Sequence, residues 1–397
     1  VFGDWSSDVC SSDLPDAQRP YVKVMLTAMD TRQLSLHMVG GHEDPRSTTG
    51  QVGSGRIPRD PEVLSRVVAA FNGAFKTEHG GYGMMENRTV LLPPLPRAAS
   101  IATWRDGTMA MGAWGESTDI PAEMVSYRQN MDPLLEDGVV NPRRRYLWGF
   151  TLDSDISNMN TFRSGICVRP DGVLIYAWGE DLTAITLGVA MKGAGCNFGM
   201  HLDMNPLHTA FIAYGFKEFD IQDKSPQYDA KLLYPGMRYS TSRYINASPK
   251  DFFYVTLRRM SPPGPDWSSA ELSQPKPAFL PAIHMKRTPS AAAVAINTRF
   301  ITATADEGAS GAETNAGTDR EPAELHPLLV AFLPGESEAA GADCTHSFDI
   351  DVHGRPSLLA KPAMRAPGRV FSMQEVPPDH AGGVFVVALQ DQWLIFA

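Results

Sequence analysis

The stretch CNFGMHLDMNPLHTAF, Cys196–Phe211, sets a carboxylate, an amide and an imidazole (Asp203, Asn205 and His208) within six positions of an apolar frame. A carboxylate serves as general base, as nucleophile or as stabiliser of a cationic transition state, and an imidazole that titrates near neutrality exchanges a proton. Pro206 has no N–H to donate and stops the run, so a strand ending here delivers its last side chains into a loop. The same four residues, Asp203 to Pro206, also read as an Asx-type turn in which Asp and Asn bond their own backbone. His208 likewise fits a structural histidine. Further upstream, Asn72 sits in FNGAF, Glu78 and His79 in the glycine-rich KTEHGGYG, and Arg163 opens RSGICVRPDG. The planar fork of Arg163 matches phosphate oxygens, although it equally suits a surface carboxylate. Glu78 and His79 with Asp203 offer oxygen and nitrogen ligands to a divalent cation such as calcium, but their spacing follows no ligand pattern, and no motif demands a cofactor. The basic cluster PRRRY, Pro142–Tyr146, reads as a solvated loop face before it reads as a glycan or phosphate contact.

These residues need elements to position them. YVKVMLTAMDTRQLSLHMVGG predicts two strands around a polar turn at Asp30–Gln33. PRDPEVLSRVVAAF predicts a helix capped by Asp60, with Pro61 at its first position and Val63, Leu64, Val67 and Val68 on one face. IATWRDGTMAMGAWG and GICVRPDGVLIYAWG each predict a hairpin around Asp-Gly, with a shared Ala-Trp-Gly ending that a duplicated unit or a common geometry would explain. Between them, PAEMVSYRQNMDPLLEDG has helical character. DLTAITLGVAMKGAG predicts a helix capped by Thr183 and ended by Gly193 and Gly195. A strand through Phe198–Leu202 follows and places Asp203 at its C-terminal end, where αβ folds gather ligand-contacting groups. The expected fold class is α+β: a mixed, mostly antiparallel β-sheet core with packed helices, plus a small β-rich C-terminal region.

The chain has 397 residues, 43% of them hydrophobic, which suffices for a sizeable core and two domains. A formal charge of −10 argues against nucleic acid as a partner, and no run approaches the roughly 18 apolar residues of a membrane span. DWSSDVCSSDL, Asp4–Leu14, resembles a translated sequencing-library adapter, so residues 1–14 are set aside from the fold reading. Cys167, Cys196 and Cys344 then remain, and their scatter predicts neither a disulfide framework nor a metal site. Residues 15–260 read as the main domain and 261–281 as a linker. Residues 282–397 read as a β-rich region with a disordered insertion near 307–324 and an end cut inside an apolar run.

The order FNGAF, GGYGMM, IATWRDG, RSGICVRPDG, helix, AGCNFGMHLDMNP resembles the phosphodiester glycosidase family over about residues 35–255. The resemblance aligns Asn72, Arg163 and Asp203 with the family's Asn, Arg and Asp. It departs at Met204-Asn205-Pro206, which replaces family glycines whose backbone N–H groups face a ligand. What the resemblance implies is hydrolysis of a sugar-1-phosphodiester or related glycoconjugate. Arg163 would hold the phosphate, Asp203 would act at the anomeric carbon and His208 would exchange a proton. Asn72 would orient a sugar hydroxyl or Asp203 itself, and Asn205, Glu78 and His79 would contact substrate. It also implies a periplasmic or secreted location. The lost glycines support a different reading, a non-catalytic envelope module that binds glycan or a partner with surface supplied by Trp104, Trp114, Trp148 and Trp178.

Overall fold

A computed structural model describes residues 15–145, 159–216 and 227–259 with their side chains, and individual backbone strands between 268 and 396. The adapter-like tract, the insertion near 307–324 and most of the 261–281 segment lie outside the described residues. The chain divides into two compact units, Val1–Arg258 and Arg259–Ala397.

The first unit is built from three antiparallel sheets. In the six-stranded sheet the order is β1 (Met25–Asp30), β12 (Val173–Leu182), β11 (Thr161–Val168), β13 (Phe198–His201), β9 (Leu135–Glu136), β10 (Val139–Val140). The second sheet runs β15 (Tyr228–Leu232), β14 (Phe211–Phe216), β3 (Val67–Asn72), β16 (Phe252–Leu257), β2 (Leu34–Val39). The third runs β5 (Thr89–Leu92), β4 (Met84–Glu86), β8 (Met124–Gln129), β6 (Ala99–Trp104), β7 (Met109–Ala113). Both Asp-Gly hairpins form, as β6–β7 and β11–β12, but they belong to different sheets.

The α+β expectation is wrong in its helices. The described residues hold α1 (Pro61–Leu64), α2 (Ala184–Gly193), α3 (Arg243–Asn246) and one 3-10 turn (Thr77–His79), so the fold is antiparallel β with little helix. Asp60 does cap α1, accepting the Glu62 N–H at 2.8 Å, yet the helix stops at Leu64. The β-branched pair Val67-Val68 begins β3 instead, because its side chains suit a pleated surface better than a helix face. PAEMVSYRQNM is strand β8, the middle of its sheet, rather than helix. Arg128 and Gln129 look solvent-facing in the sequence, but both are fully buried with partners, which hides the strand pattern. The turn at Asp30–Gln33 forms, yet its two strands part company: β1 pairs with β12 and β2 with β16.

Alternation along β11, β12 and β13 divides the interior into two layers. Ile166, Tyr176, Trp178 and Met200 point into the cluster that also holds Phe71, Phe211 and Phe253 of the second sheet. There Phe71 packs on Tyr176 at 5.2 Å and on Phe253 at 5.2 Å between ring centroids. Cys167, Ile175 and Ala177 point the other way, into a cluster with Leu187 and Met191 of α2. That helix is capped by Thr183, whose Oγ1 accepts the Thr186 N–H at 3.0 Å, and it terminates at Gly195 with φ +80°. Contrary to the cysteine expectation, Cys167 and Cys196 form a disulfide with a Cα–Cα separation of 5.8 Å, tying β11 to the turn after α2. They are 29 residues apart in sequence, but β11 and β13 are neighbours, so their flanks meet.

Candidate functional site

Four chain segments converge where the first two sheets meet: the end of β3, the middle of β11, the end of β13 and the start of β16. The Asp203 N–H donates to the Gly73 carbonyl at 3.0 Å, and the Leu202 N–H donates to the Ser164 carbonyl at 2.9 Å. The strand ends are thus laced together by backbone. Beside them, Arg128 and Asp251 form a buried ion pair, with Nε 2.8 Å from Oδ2. Asp251 also accepts the Ala74 N–H at 2.9 Å, and a Cβ at Gly73 would overlap the Asp251 carboxylate. FNGAF therefore needs its glycine for close approach, not for an unusual φ.

Asn72 is buried and fully used. Its Nδ2 donates to the Gly73 carbonyl at 3.1 Å and to Ser164 Oγ at 2.9 Å. Its Oδ1 accepts from the Tyr176 hydroxyl at 2.9 Å and the Ala210 N–H at 3.1 Å. An amide has two donors and two acceptor lone pairs, so nothing is left for a substrate. Asn72 instead reaches Asp203 through Ser164, whose hydroxyl donates to the Asp203 carbonyl at 2.6 Å. Through Ser164 the amide is thus tied to the backbone of Asp203.

Asp203 is 5% exposed. Its Oδ1 accepts the Asn205 N–H at 2.9 Å, the Asx turn read from the sequence, and its Oδ2 is paired with the Lys250 ammonium. Asn205 is exposed, and its Oδ1 accepts the Leu207 N–H at 2.9 Å, which turns this end of the amide back along its own loop. His208 Nδ1 lies 3.5 Å from Nη2 of Arg243. Burial, then the nearby Lys250, Arg243 and Lys76 cations, push the His208 imidazole down to about 4, against an opposing pull from Asp203. The imidazole therefore titrates below the near-neutral range that its residue type suggests.

Arg163 does not join this group. It precedes Ser164 on β11, so its side chain leaves the opposite face of the strand, toward the layer beneath α2. Its Nε donates to the Leu182 carbonyl at 3.0 Å and its Nη2 to the Met159 carbonyl at 3.3 Å. Burial pushes the guanidinium down to about 10. Strand alternation thus sends Arg163 away from the Asp203 group, which the phosphate-holding role implied by the resemblance would have it join.

Glu78 and His79 lie on the 3-10 turn, with Glu78 Oε1 3.7 Å from both Lys76 Nζ and His79 Nε2. Among the described residues no group of three or more His, Cys, Asp or Glu is arranged to hold a metal, and Lys250 already occupies Asp203 Oδ2. The donor set therefore does not fit a divalent cation at Asp203. In the basic cluster, Arg143 and Arg145 both pair with Asp132, at 3.1 and 2.7 Å. A separate cleft of about 200 Å³ between Tyr21, Lys23, Trp178, Glu180 and Tyr234 holds none of these residues. Among the described residues no helix is long and apolar enough to cross a membrane.

Sequence reasoning missed Lys250, Arg243, Ser164 and the Arg128–Asp251 pair. A signal existed for Lys250: SPKDFFYVTL sets a Lys-Asp pair directly before an apolar strand. Such charges at a strand mouth are either exposed or partnered, and here both are buried with partners.

No family model matches the chain, and no curated protein matches it. Among solved structures, the catalytic domain of a zebrafish N-acetylglucosamine-1-phosphodiester alpha-N-acetylglucosaminidase, auto-inhibited by its pro-peptide, aligns at 12% identity. That alignment covers 62% of this chain and 86% of the zebrafish chain, with a TM-score of 0.35. A hypothetical protein from Synechocystis aligns at 10% identity over 60% of this chain and 59% of its own, with a TM-score of 0.34. A putative exported protein from Burkholderia pseudomallei aligns at 9% identity over 59% of this chain and 73% of its own, with a TM-score of 0.27. The structural resemblance is weak and establishes no family.

Proposed function

We propose that the chain is a hydrolase of the phosphodiester glycosidase type, cleaving the glycosidic bond of a sugar-1-phosphodiester or a related anionic glycoconjugate. One observation carries this reading: a buried carboxylate at a strand end, Asp203, shares its surroundings with a neutral imidazole, His208, and with the cations Lys250, Arg243 and Lys76. Buried carboxylates need partners, and this one has a partner that orients it without withdrawing it from the loop.

The roles follow from charge. A leaving phosphomonoester has a second pKa of about 6, so it departs without a proton from the protein. A general acid is then unnecessary, which agrees with a histidine that carries no proton at neutral pH. His208 takes a proton from water as the water attacks the anomeric carbon, and the carboxylate of Asp203 faces the positive charge that develops on the sugar. Lys250 positions Asp203. Asn72 and Ser164 fix the backbone that carries it.

Activity should be measured on purified protein with a sugar-1-phosphodiester, for wild type and Asp203→Asn. The expected loss is at least about a hundredfold in kcat, the scale of one positioned catalytic group. Equal rates would refute the assignment. The engagement of both Asp203 oxygens, one by Lys250 and one by the Asn205 N–H, favours a second reading, a non-catalytic module that binds glycan or a partner. Glycan binding without turnover, kept in Asp203→Ala, would select it. The Cys167–Cys196 disulfide supports an oxidising compartment, periplasmic or secreted, for either reading.

A further inference from the structure

We infer that Arg243 is the phosphate-binding residue of this site, taking the part that the sequence offered to Arg163. The inference rests on the hydrolase reading only for the substrate's sugar; the phosphate site stands on its own geometry. Arg243 opens α3, and its guanidinium lies over the Tyr239 ring at 4.4 Å from the centroid. Tyr239 is in turn backed by Tyr244 at 5.4 Å. An arginine stacked on an aromatic face has a fixed plane, so its donors are aimed before any ligand arrives.

One of those donors reaches the site, and no described carboxylate holds the group. Nη2 approaches His208 Nδ1 at 3.5 Å, a contact at the limit of a hydrogen bond. Nε is shut off from solvent and has no acceptor. Among the described residues, none of the recorded carboxylate ion pairs includes Arg243, whereas Arg128 has Asp251 and Lys250 has Asp203. Arg243 is one of three cations, with Lys250 and Lys76, that bear on His208, and a phosphodiester is an anion. Arginine is also the side chain whose fork fits two phosphate oxygens at once. Arg163 also keeps a buried Nη1 without an acceptor, but it stands on the other face of β11, with carbonyls on Nε and Nη2, and offers no fork to the site.

The test uses the full chain, with dimethyl phosphate and inorganic phosphate as probes and the His208 ring resonances as the reporter. Bound anion beside His208 should shift those resonances saturably in wild type and raise the pH at which the ring titrates. Arg243→Gln should weaken both probes at least tenfold, and Arg243→Lys should recover part of that loss, since lysine keeps the charge but not the fork. Should Arg243→Gln fail to fold, Tyr239→Leu, which keeps the guanidinium but takes away the ring it stacks on, should weaken binding by a smaller factor. Wild-type resonances that ignore millimolar phosphate would overturn the inference, as would Arg243→Gln or Tyr239→Leu binding the probes like wild type. Turnover separates the two claims. Phosphate binding through Arg243 without any hydrolysis leaves this inference standing and ends the hydrolase reading. Hydrolysis with an unchanged kcat/KM in Arg243→Gln does the reverse.

Discussion

Ser164 shows how a buried hydroxyl fixes the residue proposed to act, Asp203. Its hydroxyl accepts from Asn72 and donates to the Asp203 carbonyl, so Ser164→Ala leaves a buried amide N–H and a buried carbonyl each short of a partner. The expected cost is about 1–3 kcal/mol of unfolding free energy by urea denaturation, because each group keeps its desolvation penalty. In activity the loss should fall on kcat more than on KM, since the hydroxyl touches no substrate; a KM effect alone would contradict the positioning role. At this scale the sequence was partly legible. Asp203 and His208 stood out by residue type and Asn72 by the family resemblance, and the Asx turn was visible in Asp203-Met204-Asn205-Pro206. Arg163 misled because a guanidinium next to a site residue in sequence lies on the opposite face of a strand. Arg243 and Lys250 were illegible as a pair, because only the meeting of α3, the His208 turn and the mouth of β16 brings them together.

Elements, rather than residues, decide how firmly the site is held. β8 carries Arg128 into the interior, where its guanidinium donates to Asp251 and to the Phe75, Tyr82 and Gln129 carbonyls. The pair thus joins the third sheet to FNGAF and to the residue before β16. Removing one partner strands a buried charge, so Asp251→Ala should lose about 3–5 kcal/mol, while a variant that replaces both partners with apolar residues should lose less. A double-mutant cycle by chemical denaturation measures the difference. The disulfide acts at the same scale. Replacing both Cys167 and Cys196, each buried, with alanine should cost about 2–4 kcal/mol and abolish the sensitivity of the melting temperature to reductant. α2 was legible in full because Thr183 and Gly195 mark its ends chemically. β8 was not, since a strand buried on both sides by polar partners loses the alternation that identifies strands. β1 and β2 were legible as strands but not as members of different sheets, for pairing depends on β12 and β16, far along the chain.

The first unit should be acid-sensitive, and among the described residues three histidines set the sign. His208 and His37 are each pushed down to about 4, chiefly by burial, and His201 is pushed well below its ordinary 6.5 for the same reason. Each is therefore neutral in the folded chain across a range where the unfolded chain binds a proton. With folded pKa values below unfolded ones, their contribution is fully present above about pH 6.5 and is lost as pH falls toward 4. Asp16 and Asp30, held below the usual carboxylate range by Arg19 and Arg32, add to that loss at lower pH. Asp44 and Glu86, raised by burial, act in the opposite sense, because the folded chain binds their protons first. Stability from urea unfolding at pH 7, 6 and 5 reports the sum, and one variant isolates a single component. His37 touches Thr256 Oγ1 at 2.9 Å and stacks on Tyr254 at 4.5 Å, away from the Asp203 site, and glutamine keeps a polar group there without a titrating one. His37→Gln should flatten the decline between pH 6 and 5 by up to about 1.4 kcal/mol per pH unit, the weight of one proton. A slope identical to wild type would mean that His37 binds its proton as readily in the folded chain as in the unfolded one, and the acid sensitivity would then have to come from His201, His208 and the carboxylates alone.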